Sequence, residues 1–213
     1  MRIAAIALVL ATATAVRGDT VFTVDPEAGN DTFTAVFDAA LGERITAVSA
    51  AIGCTLHVDE AARTGRATCS VPLTAIRVDN DDTKTEHFRQ WATNGKGDAR
   101  QCTLDLSIDR VSVPDAVEPM TPTPFSTEGT LTICGRHRDD RGAEKIGGTL
   151  TLLSRDVRTL RIRARIGGFD RERYRVGPKW TPGWLARVQE LAPVVATDGT
   201  IEVTVFATEP APK

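Results

Sequence analysis

Histidine is scarce in this chain, which argues against much of the chemistry that enzymes build on it. The 213 residues include three histidines, His57, His87 and His137. None is paired with another at the spacing of metal ligands, and the sequence contains no G-x-S-x-G, phosphate-binding loop or dinucleotide fingerprint. We therefore predict a protein that is not an enzyme, holds no metal and needs no cofactor. Catalysis by His87 with nearby carboxylates is a minor alternative.

A large excess of charge of one sign is also missing. The formal net charge is −2, so the composition does not indicate a nucleic-acid partner. The charge is nevertheless uneven along the chain. Residues 19–60 hold eight carboxylates and a single basic residue, Arg44, whereas residues 155–179 hold nine basic and three acidic residues. The protein is therefore electrically polarised along its length.

The basic segment contains an alternation of arginine with aliphatic residues. On a strand, this pattern turns the arginines outward and the aliphatics inward. The predicted surface patch comprises Arg161, Arg163, Arg165 and Arg173, and we expect Arg171 and Arg175 to extend the same charge. Two interpretations stay open. The patch is either a solvated strand face or a contact with an anionic head group or a membrane surface, which would make the protein peripherally membrane-associated.

Long hydrophobic runs are absent, and the one short run stands at the start of the sequence. Residues 1–15 combine one positive charge, a brief apolar stretch and a small-residue ending, Ala13-x-Ala15, which is the layout of a secretory signal peptide. We predict cleavage near Val16, a single domain over residues 16–213, and a periplasmic or secreted location. An uncleaved N-terminal anchor is the alternative.

The four cysteines fit an oxidising compartment, where disulfides persist. Cys54 and Cys69 flank a turn-rich stretch and lie on the apolar sides of their strands, so a hairpin would place them opposite one another and we predict that they are bonded. Cys102 and Cys134 then remain as the second pair. Their strand phases place them on different faces, so this second bridge requires a bulge or a change of phase.

Alternation of apolar and polar residues predicts an all-β fold. About eight or nine antiparallel strands are expected, including long ones over residues 47–58, 66–76 and 99–113, which indicates a barrel or a sandwich. The proline-rich residues 114–124 are expected to form a loop, because proline cannot join a central strand. Helix is predicted at two places, a short lid near residues 83–94 and a second short helix over residues 182–191.

The predicted lid follows directly after a strand. Thr83 and Glu86 have the spacing of a capping box, and Phe88 and Trp91 then give the helix one aromatic face. In an all-β chain, a strand that leaves the sheet for a small amphipathic helix is typical of a lid over the mouth of a barrel.

Four segments resemble YceI-like, polyisoprenoid-binding domains. Residues 78–89, ending in His87-Phe88-Arg89, resemble the family's strand-to-helix segment, although Gln90-Trp91-Ala92-Thr93 replaces the usual continuation. Residues 128–135 resemble its Gly-x-Leu-Thr strand, residues 169–177 its Asn-Arg-x-Asp-Phe-Gly stretch, and residues 198–203 its closing strand. The segments stand in matching order over roughly residues 19–209.

This resemblance implies a lipocalin-like barrel whose lumen holds an isoprenoid, a quinone or another long-chain apolar amphiphile without catalysis. The residue pattern alone leaves a filled barrel open, and the alternative function is therefore a disulfide-stabilised structural or protein-interaction module. The residues expected to form the apolar lumen and lid are Phe33, Phe37, Leu56, Leu73, Ile76, Phe88, Trp91, Leu104, Leu106, Leu131, Ile133 and Val203.

Overall fold

An antiparallel sheet winds around a common interior and closes on itself. The computed structural model describes residues 19–95, 97–113, 117–183 and 195–210. Its strands are β1 (Thr20–Val24), β2 (Thr32–Ala39), β3 (Arg44–Ser49), β4 (Gly53–Asp59), β5 (Thr64–Pro72), β6 (Arg77–Val78), β7 (Thr103–Ser112), β8 (Thr123–Ile133), β9 (Glu144–Ser154), β10 (Thr159–Asp170) and β11 (Val195–Thr208). A single α-helix in these ranges, α1 (Asp82–Thr93), lies between β6 and β7.

Eight of these strands form the ring, in the order β1-β4-β5-β7-β8-β9-β10-β11. Pairing of β1 with β11, through Thr23 opposite Thr208 and Val24 opposite Ala207, closes it. The predicted all-β, lipocalin-like antiparallel barrel of eight or nine strands is confirmed, with eight strands in the closed ring and three further strands beside it. The other strands, β2, β3 and β6, continue the sheet outward from β11 at one end of the barrel.

The long strands expected over residues 47–58 and 66–76 are not continuous. The first breaks at residues 50–52 into β3, which pairs with β2, and β4, which pairs with β1. The second ends at Pro72 and passes through a 3₁₀ turn, Leu73–Ala75, before the short β6. The prediction of continuous strands was wrong, because a strand that wraps around a barrel bends where its pairing partner changes.

The proline-rich loop is shorter than expected. Strand β8 begins at Thr123, and Pro124 lies opposite Thr149 of β9. On its other side, β8 pairs with β7 only over residues 130–133, so no ladder partner on that side requires an N–H from Pro124. The expectation that all of residues 114–124 form a loop was therefore wrong for its last two residues; residues 114–116 lie outside the described part.

Helix α1 begins earlier than the capping box predicted. Asp81 is the N-cap, and its side chain accepts a hydrogen bond from the backbone N–H of Lys84 at 2.9 Å, whereas Thr83 lies inside the helix. Thr85 fixes the helix to the sheet, because its hydroxyl accepts from the Val78 N–H at 3.0 Å. Asn94 ends the helix in the left-handed conformation.

Both disulfides are present, Cys54 to Cys69 and Cys102 to Cys134. Cys54 and Cys69 are direct cross-strand partners in β4 and β5, as predicted. The expected conflict of phase for the second pair does not arise, because neither residue belongs to a strand. Cys102 precedes β7, and Cys134 follows the end of β8 with a φ of 49°. Two disulfides are consistent with an oxidising compartment.

The barrel interior is filled at one end. A small cluster of Phe22, Leu160 and Ala207 is buried where β1, β10 and β11 meet. A larger cluster occupies the middle and extends toward α1. No helix in the described ranges is long and apolar enough to cross a membrane. Residues 1–15, the predicted signal peptide, and most of the predicted helix at 182–191 lie outside the described part.

Candidate ligand-binding cavity

A cavity of about 740 Å³ occupies the end of the barrel beneath α1. Its walls come mainly from β2, β3, the first residues of β11, the segment after β10 and the inner face of α1, with single residues from β6, β7, β8 and β10. None of the residues of the Phe22 cluster lines the cavity. Its volume falls within the range of about 300–1,000 Å³ that is usual for small-molecule sites.

The space exists because small residues face one another across two adjacent strands. Ala35 of β2 lies directly opposite Ala47 of β3, and both are buried on the cavity side. Phe33 and Phe37 lie on the same face of β2 at the two positions that flank Ala35. A pair of alanines between two phenylalanines leaves a depression that larger side chains would fill.

Half of the predicted lumen and lid residues line this cavity. They are Phe33, Phe37, Phe88, Trp91, Leu104 and Ile133. The other predicted residues, which pack in the surrounding core and do not line the cavity, are Leu56, Leu73, Ile76, Leu106, Leu131 and Val203. Of these, Leu73 and Ile76 are fully buried beside the bend between β5 and β6.

Aromatic rings form one wall of the cavity. The rings of Phe37 and Phe169 meet edge to face at 6.1 Å between centroids, and Phe169 stacks on Tyr174 at 5.4 Å. Phe169 lines the cavity, whereas Tyr174 is fully buried behind it. The Tyr174 hydroxyl donates to Glu144 Oε1 at 2.7 Å, and Arg138 pairs with the same carboxylate at 3.1 Å. This polar network anchors the aromatic wall to the start of β9.

Arg171 is a buried charged residue on the cavity wall. Its side chain donates to three backbone carbonyls, from Nη1 to Val176 at 2.8 Å, from Nη2 to Val195 at 3.0 Å and from Nε to Ala196 at 3.0 Å. The residue is 6% exposed. Burial lowers the pKa of the Arg171 guanidinium, since removal from water disfavours the charged form.

The expectation that Arg171 extends a surface patch was wrong. The alternation of Arg171, Arg173 and Arg175 suggested three outward arginines, but residues 171–174 form a 3₁₀ turn in which period-2 alternation no longer applies. Arg171 turns inward, and its guanidinium carbon lies 5.4 Å from the centroid of the Trp91 ring in α1. Glycine at position 177 leaves room for this side chain, because a Cβ there would come within 2.2 Å of Arg171 Nη1.

The other polar residues that line the cavity are Asp38, Lys84, His87, Glu172, Lys179 and Thr197. Lys84 pairs with Asp79 at 2.8 Å, and this hydrogen bond raises the pKa of Lys84. Lys179 lies 5.2 Å from the centroid of the Trp180 ring, and His87 faces the cavity from α1. In the described ranges, no group of three or more histidine, cysteine or carboxylate side chains is arranged to hold a metal ion.

The predicted arginine patch is distributed over two environments. On β10, Arg163 and Arg165 are exposed, Arg161 is half-buried, and Arg165 pairs with Glu202 at 3.5 Å. Arg173 lies after the strand and pairs with Asp140 and with Asp170. The two exposed β10 residues therefore lie on the outer surface of the barrel and Arg173 belongs to a local ion-pair cluster.

Taken together, the fold and the cavity define a lipocalin-like barrel with an apolar pocket beneath a helical lid. Among solved structures, the chain is similar to a polyisoprenoid-binding domain from Saccharophagus degradans implicated in plant cell wall breakdown, with a TM-score of 0.61 and 13% sequence identity. The match covers 90% of this chain and 99% of that one. The fold implied by the resemblance to YceI-like domains is thereby confirmed. No protein-family model and no curated protein matches the sequence.

Proposed function

We propose that this protein is an exported, non-catalytic carrier that holds a long-chain apolar amphiphile in its barrel. The observation that carries the proposal is the cavity of about 740 Å³ lined by Phe33, Phe37, Phe88, Trp91 and their neighbours. An apolar chain gains about 0.8 kcal/mol for each methylene that it buries, so binding needs no reactive group. An isoprenoid, a quinone and a fatty-acid-like molecule all meet this requirement.

The geometry of α1 supports a role as the lid. Phe88 and Trp91 are half-buried on the side of the helix that faces the cavity, whereas Glu86 and Gln90 are exposed. Because Phe88 and Trp91 are half-buried and line the cavity, both rings are placed to contact a bound apolar chain. The similar polyisoprenoid-binding domain adds support from the fold alone.

The competing function, a structural or protein-interaction module, predicts an interior without room for a ligand. The Ala35–Ala47 pair and the cavity beside it favour the carrier. Export is proposed from the leader-like residues 1–15 together with the two disulfides.

Native mass spectrometry tests the proposal directly. The mature protein, purified from an exporting host, is expected to carry an apolar molecule that organic extraction releases. Phe88→Glu and Trp91→Glu place a charge at the cavity and should abolish this adduct, while Met120→Glu, at a position that is 69% exposed, should leave it in place. An apo mass, with no uptake of added quinones or isoprenoids, would contradict the carrier function.

A further inference from the structure

The positive charge of the buried Arg171 side chain is hydrogen-bonded but, among the residues that the structure describes, is not paired with a negative charge. Within the described part of the chain, its guanidinium forms hydrogen bonds to carbonyls but no ion pair with a carboxylate. Asp170 and Glu172, its sequence neighbours, act on it only over a longer distance. Buried charges in proteins are normally paired, because carbonyl dipoles do not cancel a full charge.

Some N–H groups of the Arg171 guanidinium also have no hydrogen-bond acceptor among the three bonded carbonyls. A guanidinium carries five N–H groups, and the bonds to Val176, Val195 and Ala196 account for three of them. One hydrogen on each terminal nitrogen has no acceptor among these bonds. The planar fork of a guanidinium matches the two oxygens of a carboxylate or phosphate.

The surroundings hold this guanidinium in one place. Three carbonyls fix its plane, and the Trp91 ring covers one side at 5.4 Å. Gly177 leaves room for Nη1, since any Cβ would approach it to 2.2 Å. The group is therefore positioned in advance, which limits the entropy lost when an acceptor binds.

We propose that Arg171 selects ligands with an anionic head group, a carboxylate or a phosphate monoester, attached to the apolar chain. This inference rests on the proposed carrier function and adds the class of head group. The acid would pair with Arg171 beside Trp91, while the chain lies along Phe33 and Phe37. A neutral quinone or alcohol of the same length would fill the same space without that ion pair.

Matched ligand pairs test the inference on the delipidated, full-length mature protein at pH 8. Tryptophan fluorescence measures the affinity for palmitic acid against its methyl ester, and for farnesyl phosphate against farnesol. Each acid is expected to bind about tenfold or more tightly than its neutral partner, because hydrogen bonds to charged groups are the stronger ones. A preference in one pair alone supports the inference and names the head group.

The variants assign the preference to Arg171. Arg171→Met should bring each acid to the affinity of its neutral partner. Because Arg171 also bonds three carbonyls of the cavity wall, the readout is the ratio of the acid affinity to the neutral affinity within the variant, and not the affinity for either ligand alone. Arg175→Met is the matched control, since it removes the same charge from an exposed position in the same segment, and it should keep the preference. Persistence of the preference in Arg171→Met would overturn the assignment.

The outcomes for the carrier function and for the head group are distinct. Binding of neither member of any pair would overturn the proposed function. Equal binding of acid and neutral ligand by the unmodified protein would leave the carrier in place and overturn the role of Arg171. This comparison needs no variant, so a missing preference overturns the inference even if Arg171→Met fails to fold.

Discussion

The guanidinium of Arg171 lies against the indole ring of Trp91, 5.4 Å from its centroid, and thereby joins the segment after β10 to the lid helix. Because Arg171 also bonds the first residues of β11, three separate parts of the chain meet at this contact. The lid is thus held by a specific side-chain pair in addition to apolar packing.

A double-mutant cycle measures the strength of this pair. Trp91→Leu, Arg171→Met and the combined variant are compared by urea unfolding. A partly desolvated cation–π contact is worth about 1–2 kcal/mol, and we expect a coupling energy of that size. The pair Lys179 and Trp180, which is more exposed, serves as the comparison and should give a smaller value. Purely additive losses at Trp91 and Arg171 would show that the contact contributes nothing.

A larger side chain in the cavity should weaken ligand binding and leave the free energy of unfolding almost unchanged. Ala47→Leu adds three carbon atoms to the wall opposite Ala35, where space is available, so the free energy of unfolding should change by less than about 1 kcal/mol. Affinity for the apolar ligand should fall by about tenfold or more because the chain loses room. The same change at the exposed Ala50 is the control. Unaltered affinity in Ala47→Leu would mean that the ligand binds elsewhere.

The two disulfides should differ in their contribution to stability. Cys54 and Cys69 are 15 residues apart, whereas Cys102 and Cys134 are 32 apart. The entropy of loop closure in the unfolded chain predicts losses of about 3.0 and 3.7 kcal/mol when each pair is replaced by serine. Denaturant unfolding of the two double variants measures both values. A larger loss for the Cys54–Cys69 pair would argue against this order.

The ionisation of Tyr174 can be followed without a contribution from any other tyrosine. Tyr174 is the sole tyrosine of the chain, and burial together with its hydrogen bond to Glu144 raises its pKa. The unfolded value is about 10, so above that pH the folded state retains a proton that the unfolded state loses. Stability from this group is therefore complete below about pH 10 and declines as the pH rises further.

Near-ultraviolet absorbance of tyrosinate follows this behaviour. In the folded protein the Tyr174 hydroxyl should remain unionised at about pH 10.5, whereas in denaturant it should titrate near pH 10. Glu144→Gln removes the neighbouring charge and should lower the Tyr174 pKa relative to the unmodified protein. Ordinary titration of the folded chain would mean that the Tyr174 hydroxyl is open to water.

The outward arginines of β10 are expected to promote association with anionic vesicles. Arg163→Gln with Arg165→Gln should weaken binding by about 2 kcal/mol, or about 30-fold, at about 1 kcal/mol for each basic residue near the surface. Arg66→Gln with Arg77→Gln removes the same charge from β5 and β6, neither of which pairs with β10, and controls for net charge. Equal vesicle binding by all variants would identify the β10 patch as a solvated face.

Side-chain alternation was a good guide to the strands and a poor guide to where they bend. Phe33, Ala35 and Phe37 face inward as the period-2 pattern predicts. The break after Ser49 was missed, since residues 50–52 have no turn signal as strong as glycine or proline. Bending there follows from pairing with β2 on one side of the break and β1 on the other, which is a property of the closed barrel.

Residue spacing was enough to predict the all-β class, the helix α1 with its aromatic face and the pairing of Cys54 with Cys69. Each depends on spacing within one or two neighbouring elements. The cavity and the inward position of Arg171, by contrast, depend on how distant segments pack together. Whether inward side chains meet depends on residues from many strands and from α1 at once, and Arg171 faces inward because Val195, Ala196 and Trp91 surround it. Local spacing carries no information about such distant partners.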